Sequence, residues 1–198
     1  MDRGVRAVKT VILASASPRR RDLLESCGLS FSIIPANVSE DTRLKKPSFI
    51  VRQLAIRKAM AVAKEVRQGI VIGADTIVVF KGSIIGKPED ERDAMRILSL
   101  LNGTYHRVYS GIAVVDAASG RMKVDYDVSA VKMRVLSKDE IKRFSKKHLD
   151  KAGAYAVQET GDAFVERIEG DYFNVVGLPL GKLRNLLKSF SVILDKHR

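Results

Sequence analysis

An α/β fold follows from three features of the sequence. The chain opens as strand, tight turn and helix: Val11-Ile12-Leu13-Ala14, then Ser15-Ala16-Ser17, then Pro18 to Glu25. Gly69 to Phe80 is a continuous β-branched run of the kind that forms a buried central strand. Helix-period stretches alternate with further strand-like runs along the rest of the chain. The 198 residues are 45% hydrophobic and 29% charged, which provides for a real core. A single domain over 1–198 without a linker is expected.

The first helix carries the strongest anomaly. Ser17 suits the N-cap, and Pro18 suits the first helical position, where its missing N–H costs nothing. Arg19, Arg20 and Arg21 then crowd a helix start whose partial positive charge favours acids. Either this is a solvated basic turn, or an anion such as phosphate sits between the guanidinium groups and the free N–H groups. The helix closes near Gly28, after Cys27, which is read as a packing residue.

Phe31 to Ile34 reads as a short strand and Pro35 to Lys46 as a polar loop holding Glu40 and Asp41. Pro47 starts a helix to about Gln68, on which Leu54, Lys58, Ala61 and Val62 recur at helical spacing. Lys58 lies at the edge of that stripe, where a lysine either snorkels to water or aims its ammonium into a cleft. In the central strand Asp75 interrupts the apolar run. A buried unpaired carboxylate is costly, so Asp75 needs a metal, a lysine or an arginine beside it. Gly73, two residues earlier, permits a bulge or the close approach of another segment.

Lys81-Gly82 predicts a hairpin into Ser83-Ile84-Ile85, and Pro88 holds Lys87 extended. Gly82 to Lys87 is not a Walker A loop: its spacing is one residue short, and proline replaces the Ser/Thr. A helix over Glu89 to Leu101 closes at Asn102-Gly103. Tyr105 to Val115 and Met122 to Val135 predict an antiparallel hairpin. In the second strand Val124, Tyr126, Val128 and Ala130 form the apolar face. Ser137-Lys138-Asp139-Glu140 is a capping box opening a helix to about Lys147, with a solvated basic face. Lys151 to Gln158 is rich in small residues, and the Gln158 amide can pair with a base edge. Ala163 to Val165 and Phe173 to Val176 read as short extended pieces around Glu169-Gly170-Asp171, before a last helix from Gly177 to about Phe190.

The net charge of +12 favours anionic partners: nucleotides, nucleic acid or acidic lipid. One cysteine excludes an intrachain disulfide framework, and no apolar run nears the ~18 residues of a membrane span. Met1 to Thr10 lacks the features of a signal peptide, so a soluble, cytoplasmic protein is expected. The histidines, His106, His148 and His197, have no metal-ligand spacing.

Six pieces, Ser15 to Arg20, Leu54 to Ala59, Gly73 to Thr76, Gly86 to Pro88, Lys151 to Gln158 and Ile168 to Pro179, together resemble the Maf family of nucleoside triphosphate pyrophosphatases, in order and spacing. The resemblance implies a long mixed sheet with flanking helices, in two lobes around a cleft, like inosine triphosphate pyrophosphatases. It implies hydrolysis of a nucleoside triphosphate to the monophosphate and pyrophosphate, a divalent cation (Mg²⁺ or Mn²⁺) and a homodimer, with neither membrane nor nucleic acid as partner. By the same resemblance Asp75 is the general base and a metal-side carboxylate, and Glu40 a further metal-associated acid. Arg19, Arg20, Lys58 and Lys87 become phosphate-binding cations beside Ser15 and Ser17. Arg19, Thr76 and Gln158 together resemble the dTTP/UTP branch rather than the 7-methyl-GTP branch. Glu159 departs from a glycine common after that glutamine. The competing class is a non-catalytic nucleotide-binding regulator of cell division.

Overall fold

In a computed structural model, which describes residues 9–146, 152–154 and 164–195, the longest uninterrupted apolar run becomes the axis of the sheet. Reading along the chain, the strands are β1 (Val11–Leu13), β2 (Ser32–Ile33), β3 (Ile70–Phe80), β4 (Ser83–Ile85), β5 (Tyr105–Asp116), β6 (Met122–Met133) and β7 (Val165–Glu169). The helices are α1 (Pro18–Ser26), α2 (Pro47–Glu65), α3 (Glu91–Leu101), α4 (Lys138–Phe144), α5 (Tyr172–Val176) and α6 (Leu180–Lys188). The strands form one seven-stranded mixed sheet in the order β2-β1-β3-β5-β6-β7, with β4 also on β3.

The two edges of β3 are covered differently, and the difference makes room for a site. On one edge β5 pairs antiparallel from Ile70↔Asp116 to Val79↔Arg107. On the other, β1 pairs in parallel only with Ile70 to Ile72, and β4 only with Val78 to Phe80. Among the described residues, Gly73 to Ile77 therefore has no strand partner on that edge. This opening lies just past the carboxyl end of parallel β1, where ligands commonly bind in open α/β sheets.

Alternation along β3 and β5 sends successive side chains to opposite faces. Over one face lies α2: Ala55, Ala59 and Val62 pack on Ile12, Val71 and Ala113. Over the other, α1 and α6 pack Leu23, Leu24, Leu183 and Leu187 on Leu13, Ile72 and Val114. Further along this second face, α3 and α4 pack Ile97, Leu101, Ile141 and Phe144 on Val78, Val108 and Val131. Thr76, Ser110 and Ser129 form a polar stripe between these two apolar clusters, and α5 lies along it, giving Val176 to one cluster and Val175 to the other.

Two glycines let α2 lie close to the sheet. A Cβ on Gly73 would stand 2.3 Å from the Ala55 carbonyl oxygen, and one on Gly111 2.3 Å from that of Val51. Both obstacles are backbone, which cannot yield. Gly73 thus serves close approach, and β3 runs through it without a bulge.

Three expectations need correction. Phe173 to Val176 is helical, not extended: Asp171 caps the turn by accepting from the Phe173 N–H at 2.8 Å, and Gly177 closes it at φ 115°. The apolar face of β6 is also misassigned, since Val128 is 40% exposed while Ser129 is 1% exposed. The Val124 side of β6 packs with the α2 cluster only near the strand's start, whereas α3, α4 and α5 cover the opposite side at its end. Finally, Ser17 occupies the N-cap position without a side-chain cap; its own N–H instead donates to Ser15 Oγ at 3.3 Å. The capping box at Ser137 and Glu140 is present. Among the described residues no helix is long and apolar enough to cross a membrane.

Candidate active site

Asp75 lies in the unpaired stretch of β3, directed to the α2 face, and is 5% exposed. The Gly73 and Gly111 notches seat α2 one turn away, so Lys58 reaches back along it. Its Nζ stands 2.7 Å from Asp75 Oδ1 and 2.7 Å from Glu40 Oε1, with its side chain 13% exposed. The stripe-edge lysine therefore points inward. Asp75 Oδ2 carries no hydrogen bond among the described residues. Asp41, the loop's second acid, turns away and accepts from Ser39 Oγ.

Although one ammonium holds both carboxylates, their pKa values move in opposite directions. Asp75 is raised from its ordinary 3.8, because burial outweighs Lys58 and Arg20. Glu40, largely in water, is lowered, first by the Lys58 hydrogen bond and then by the charges of Lys58, Lys87 and Arg20. Lys87 is thus electrostatically part of the group, although it stands exposed on the loop after β4. The neighbouring Gly86 carbonyl accepts from the Gly153 N–H at 3.2 Å, which ties that loop to the 152–154 turn.

On the opposite face of β3, Arg20 donates from Nε to the Gly177 carbonyl at 2.9 Å, from Nη1 to Ser15 Oγ at 3.0 Å and from Nη2 to Thr76 Oγ1 at 3.1 Å. All three acceptors are neutral. Burial lowers the Arg20 pKa, which Asp75 opposes. A desolvated guanidinium with two of its five N–H groups uncommitted is suited to an anion. The three arginines of α1 divide accordingly. Arg21 spends its charge in water on Asp22 and Glu25, Arg20 turns into the site, and Arg19 is half-buried at the same helix start. Gln158 lies outside the described residues.

Sequence reasoning missed Ser110, Gly111 and Asn174. Ser110-Gly111 interrupts β5 directly beside Asp75-Thr76, in the register Thr76↔Ser110 and Asp75↔Gly111. A small polar pair inside an apolar strand was the available signal. Asn174 is fully buried, and its amide donates to Val108 O at 3.0 Å and Ser129 Oγ at 2.9 Å.

That Lys58 Nζ lies within bonding distance of both acids shows that Glu40 Oε1 and Asp75 Oδ1 converge on one cation-sized position. No cluster of three or more metal-binding side chains occurs among the described residues. Two hard carboxylate donors suit Mg²⁺ or Mn²⁺, which commonly takes one or two protein carboxylates and draws its other ligands from phosphate and water. The residues fit such an ion.

The chain is similar to known proteins. A protein from Dictyoglomus thermophilum described as "dTTP/UTP pyrophosphatase" is 49% identical over 183 residues, covering 90% of this chain and 95% of its own. One from Pelotomaculum thermopropionicum with the same description is 47% identical, covering 92% and 97%. Among solved structures, the Staphylococcus aureus Ham1 protein shares the fold at a TM-score of 0.50 and 17% identity, covering 92% and 98%. The sequence model of "Maf-like protein" matches residues 10–190. That span begins just before β1 and ends past α6, so it takes in every element that builds the site, and the chain belongs to the Maf family.

Proposed function

We propose that this chain hydrolyses dTTP and UTP to the monophosphate and pyrophosphate. The carrying observation is the convergence of Asp75, Lys58 and Glu40 in the opening of the sheet, with the Arg20 guanidinium on the other side of the same strand. Relatives that are close to half identical and described as dTTP/UTP pyrophosphatases support the substrate class.

The chemistry requires an activated water at the α-phosphorus and neutralisation of the leaving β,γ unit. Asp75 accepts the proton of the attacking water through Oδ2. Its raised pKa brings this base closer to working pH than an ordinary carboxylate. Lys58 holds the other oxygen of Asp75, at the position between the two acids that a metal would take. Arg19, Arg20 and Lys87 bind the triphosphate, and the uncapped start of α1 adds its N–H groups. Glu40 and Asp75 would hold Mg²⁺ or Mn²⁺, which supplies charge neutralisation and polarisation of the phosphate when bound. The Gln158 amide pairs with the pyrimidine edge. Family membership extends the proposal to a homodimer, which light scattering checks.

The test offers dTTP, UTP, CTP, GTP and 7-methyl-GTP in parallel with Mg²⁺, and resolves the products. Pyrophosphate and monophosphate from dTTP and UTP are expected. Turnover of 7-methyl-GTP instead keeps the reaction and overturns its specificity. Binding without turnover, in Mg²⁺ and in a Mn²⁺ repeat, identifies a non-catalytic regulator.

A further inference from the structure

We propose that Thr76, Ser110 and Asn174 form a one-way hydrogen-bond relay that orients Arg20 toward the triphosphate, so that Thr76 serves substrate binding by positioning Arg20 and does not read the base. This rests on the reading above that Arg20 holds the triphosphate.

Proton counting fixes the direction of the relay. A hydroxyl has one proton to donate. Ser110 Oγ gives its proton to the Asn174 carbonyl at 2.8 Å. The 2.9 Å contact between Ser110 and Thr76 must therefore be donated by Thr76. With its proton spent there, Thr76 Oγ1 can only accept, and it accepts from Arg20 Nη2 at 3.1 Å. Its 3.4 Å approach to the Gly177 carbonyl is then not a hydrogen bond, and that carbonyl stays with Arg20 Nε at 2.9 Å. The sequence of donors is Arg20, Thr76, Ser110, ending on the Asn174 carbonyl.

A second limb anchors the end of the relay. Asn174 Nδ2 donates to Ser129 Oγ, and Ser129 donates to the Asp171 carbonyl at 2.9 Å. Three carbonyls along the α5 segment, those of Asp171, Asn174 and Gly177, thus accept from β6, β5 and α1 in turn. Asn174 cannot be turned over, because its amide oxygen would then face the Val108 carbonyl. Ser110, Ser129 and Asn174 are all buried, so water cannot easily substitute for a missing member.

Thr76 is consequently a poor reader of a base, since engaging one would break the bond that holds Arg20. Replacing Ser110 by alanine frees the Thr76 proton. The hydroxyl then turns to the Gly177 carbonyl and competes with Arg20 Nε for it. The Gly177 backbone is held in place by its own N–H, which donates to the Phe173 carbonyl at 3.0 Å.

The test measures KM and kcat for dTTP, UTP and CTP, and Ki for inorganic tripolyphosphate, a probe with no base. The proteins are wild type, Thr76→Val, Thr76→Ser, Ser110→Ala and Arg20→Gln, each checked for its melting transition. Thr76→Val and Ser110→Ala are expected to raise every KM and the tripolyphosphate Ki by the same factor, about tenfold. Their kcat should stay within about threefold, the dTTP-to-CTP preference should hold, and Thr76→Ser should restore binding. A changed preference with an unchanged Ki overturns the inference and makes Thr76 a base reader. If Arg20→Gln leaves KM and Ki unchanged, Arg20 does not hold the triphosphate, and both readings fall. Should Ser110→Ala not fold, the contrast of Thr76→Val with Thr76→Ser decides.

Discussion

Asp75 and Thr76 are adjacent in β3 and live in opposite worlds. Asp75 faces α2 and meets charge: an ammonium at 2.7 Å that it shares with Glu40. Thr76 faces α1 and α5 and meets neutral hydroxyls and carbonyls that converge on one guanidinium. A strand sends neighbouring residues to opposite faces, so two unlike environments are set one residue apart without any loop between them. The charged face can accept and move a proton. Apart from the guanidinium it holds, the neutral face presents only hydroxyls and carbonyls, so it can only orient. Chemistry and positioning are therefore assigned to the two faces of one strand.

The assignment breaks most visibly at Asp75. Asp75→Asn should cost about 10³-fold or more in kcat, the scale of a lost general base, while circular dichroism shows the fold intact. Ordinary turnover by a folded Asp75→Asn protein would remove the charged face from the chemistry.

Gly111→Ala attacks the same face from a distance. Its Cβ meets the Val51 backbone at 2.3 Å, so α2 must shift and carry Lys58 with it. We expect roughly a 10²-fold loss in kcat/KM from that misplacement. Overpacking should also lower stability by about 1–3 kcal/mol in denaturant titration. The tripolyphosphate Ki, a property of the neutral face, should change far less. Equal damage to both readouts would show that the faces are not separable.

Asn174→Ala makes the converse cut. It removes two buried hydrogen bonds, those to the Val108 carbonyl and to Ser129 Oγ, which should cost about 1–3 kcal/mol in stability. The effect on kcat should be small beside that of Asp75→Asn.

The smallest effect is the most specific. In metal-free protein, carboxyl-detected NMR should find Asp75 titrating above 3.8, and Lys58→Met should push it higher still, because burial then acts with less opposition. Because the folded carboxyl keeps its proton to higher pH than the unfolded one, this group's contribution to stability falls as pH rises from 3.8 through the folded value. Asp75→Asn should remove that part of the slope. An Asp75 pKa at or below 3.8 contradicts the burial argument.

What could be read from the sequence was what breaks a local rule. Asp75 interrupts an apolar strand, Arg20 crowds a helix start, and Lys58 sits at the edge of an apolar stripe. Each violation needs a partner, and the fold supplies it. The rest was hidden because it is nonlocal. Phe173 to Val176 has the β-branched look of a strand, yet the Asp171 cap, Gly177 and carbonyl acceptors reached from three other elements hold it helical. Val128 looked like a core residue because alternation does not reveal that α2 covers only the start of β6. Gly111 is required by a helix dozens of residues earlier in the chain, and nothing beside it reports that contact.

The most direct test of the account is hydrolysis of dTTP in ¹⁸O-labelled water, with both products weighed by mass spectrometry. Water activated at Asp75 and directed at the α-phosphorus places the label in dTMP and leaves the pyrophosphate unlabelled. Label in the pyrophosphate would mean attack at the β-phosphorus, and would contradict the placement of base and cations argued from this site.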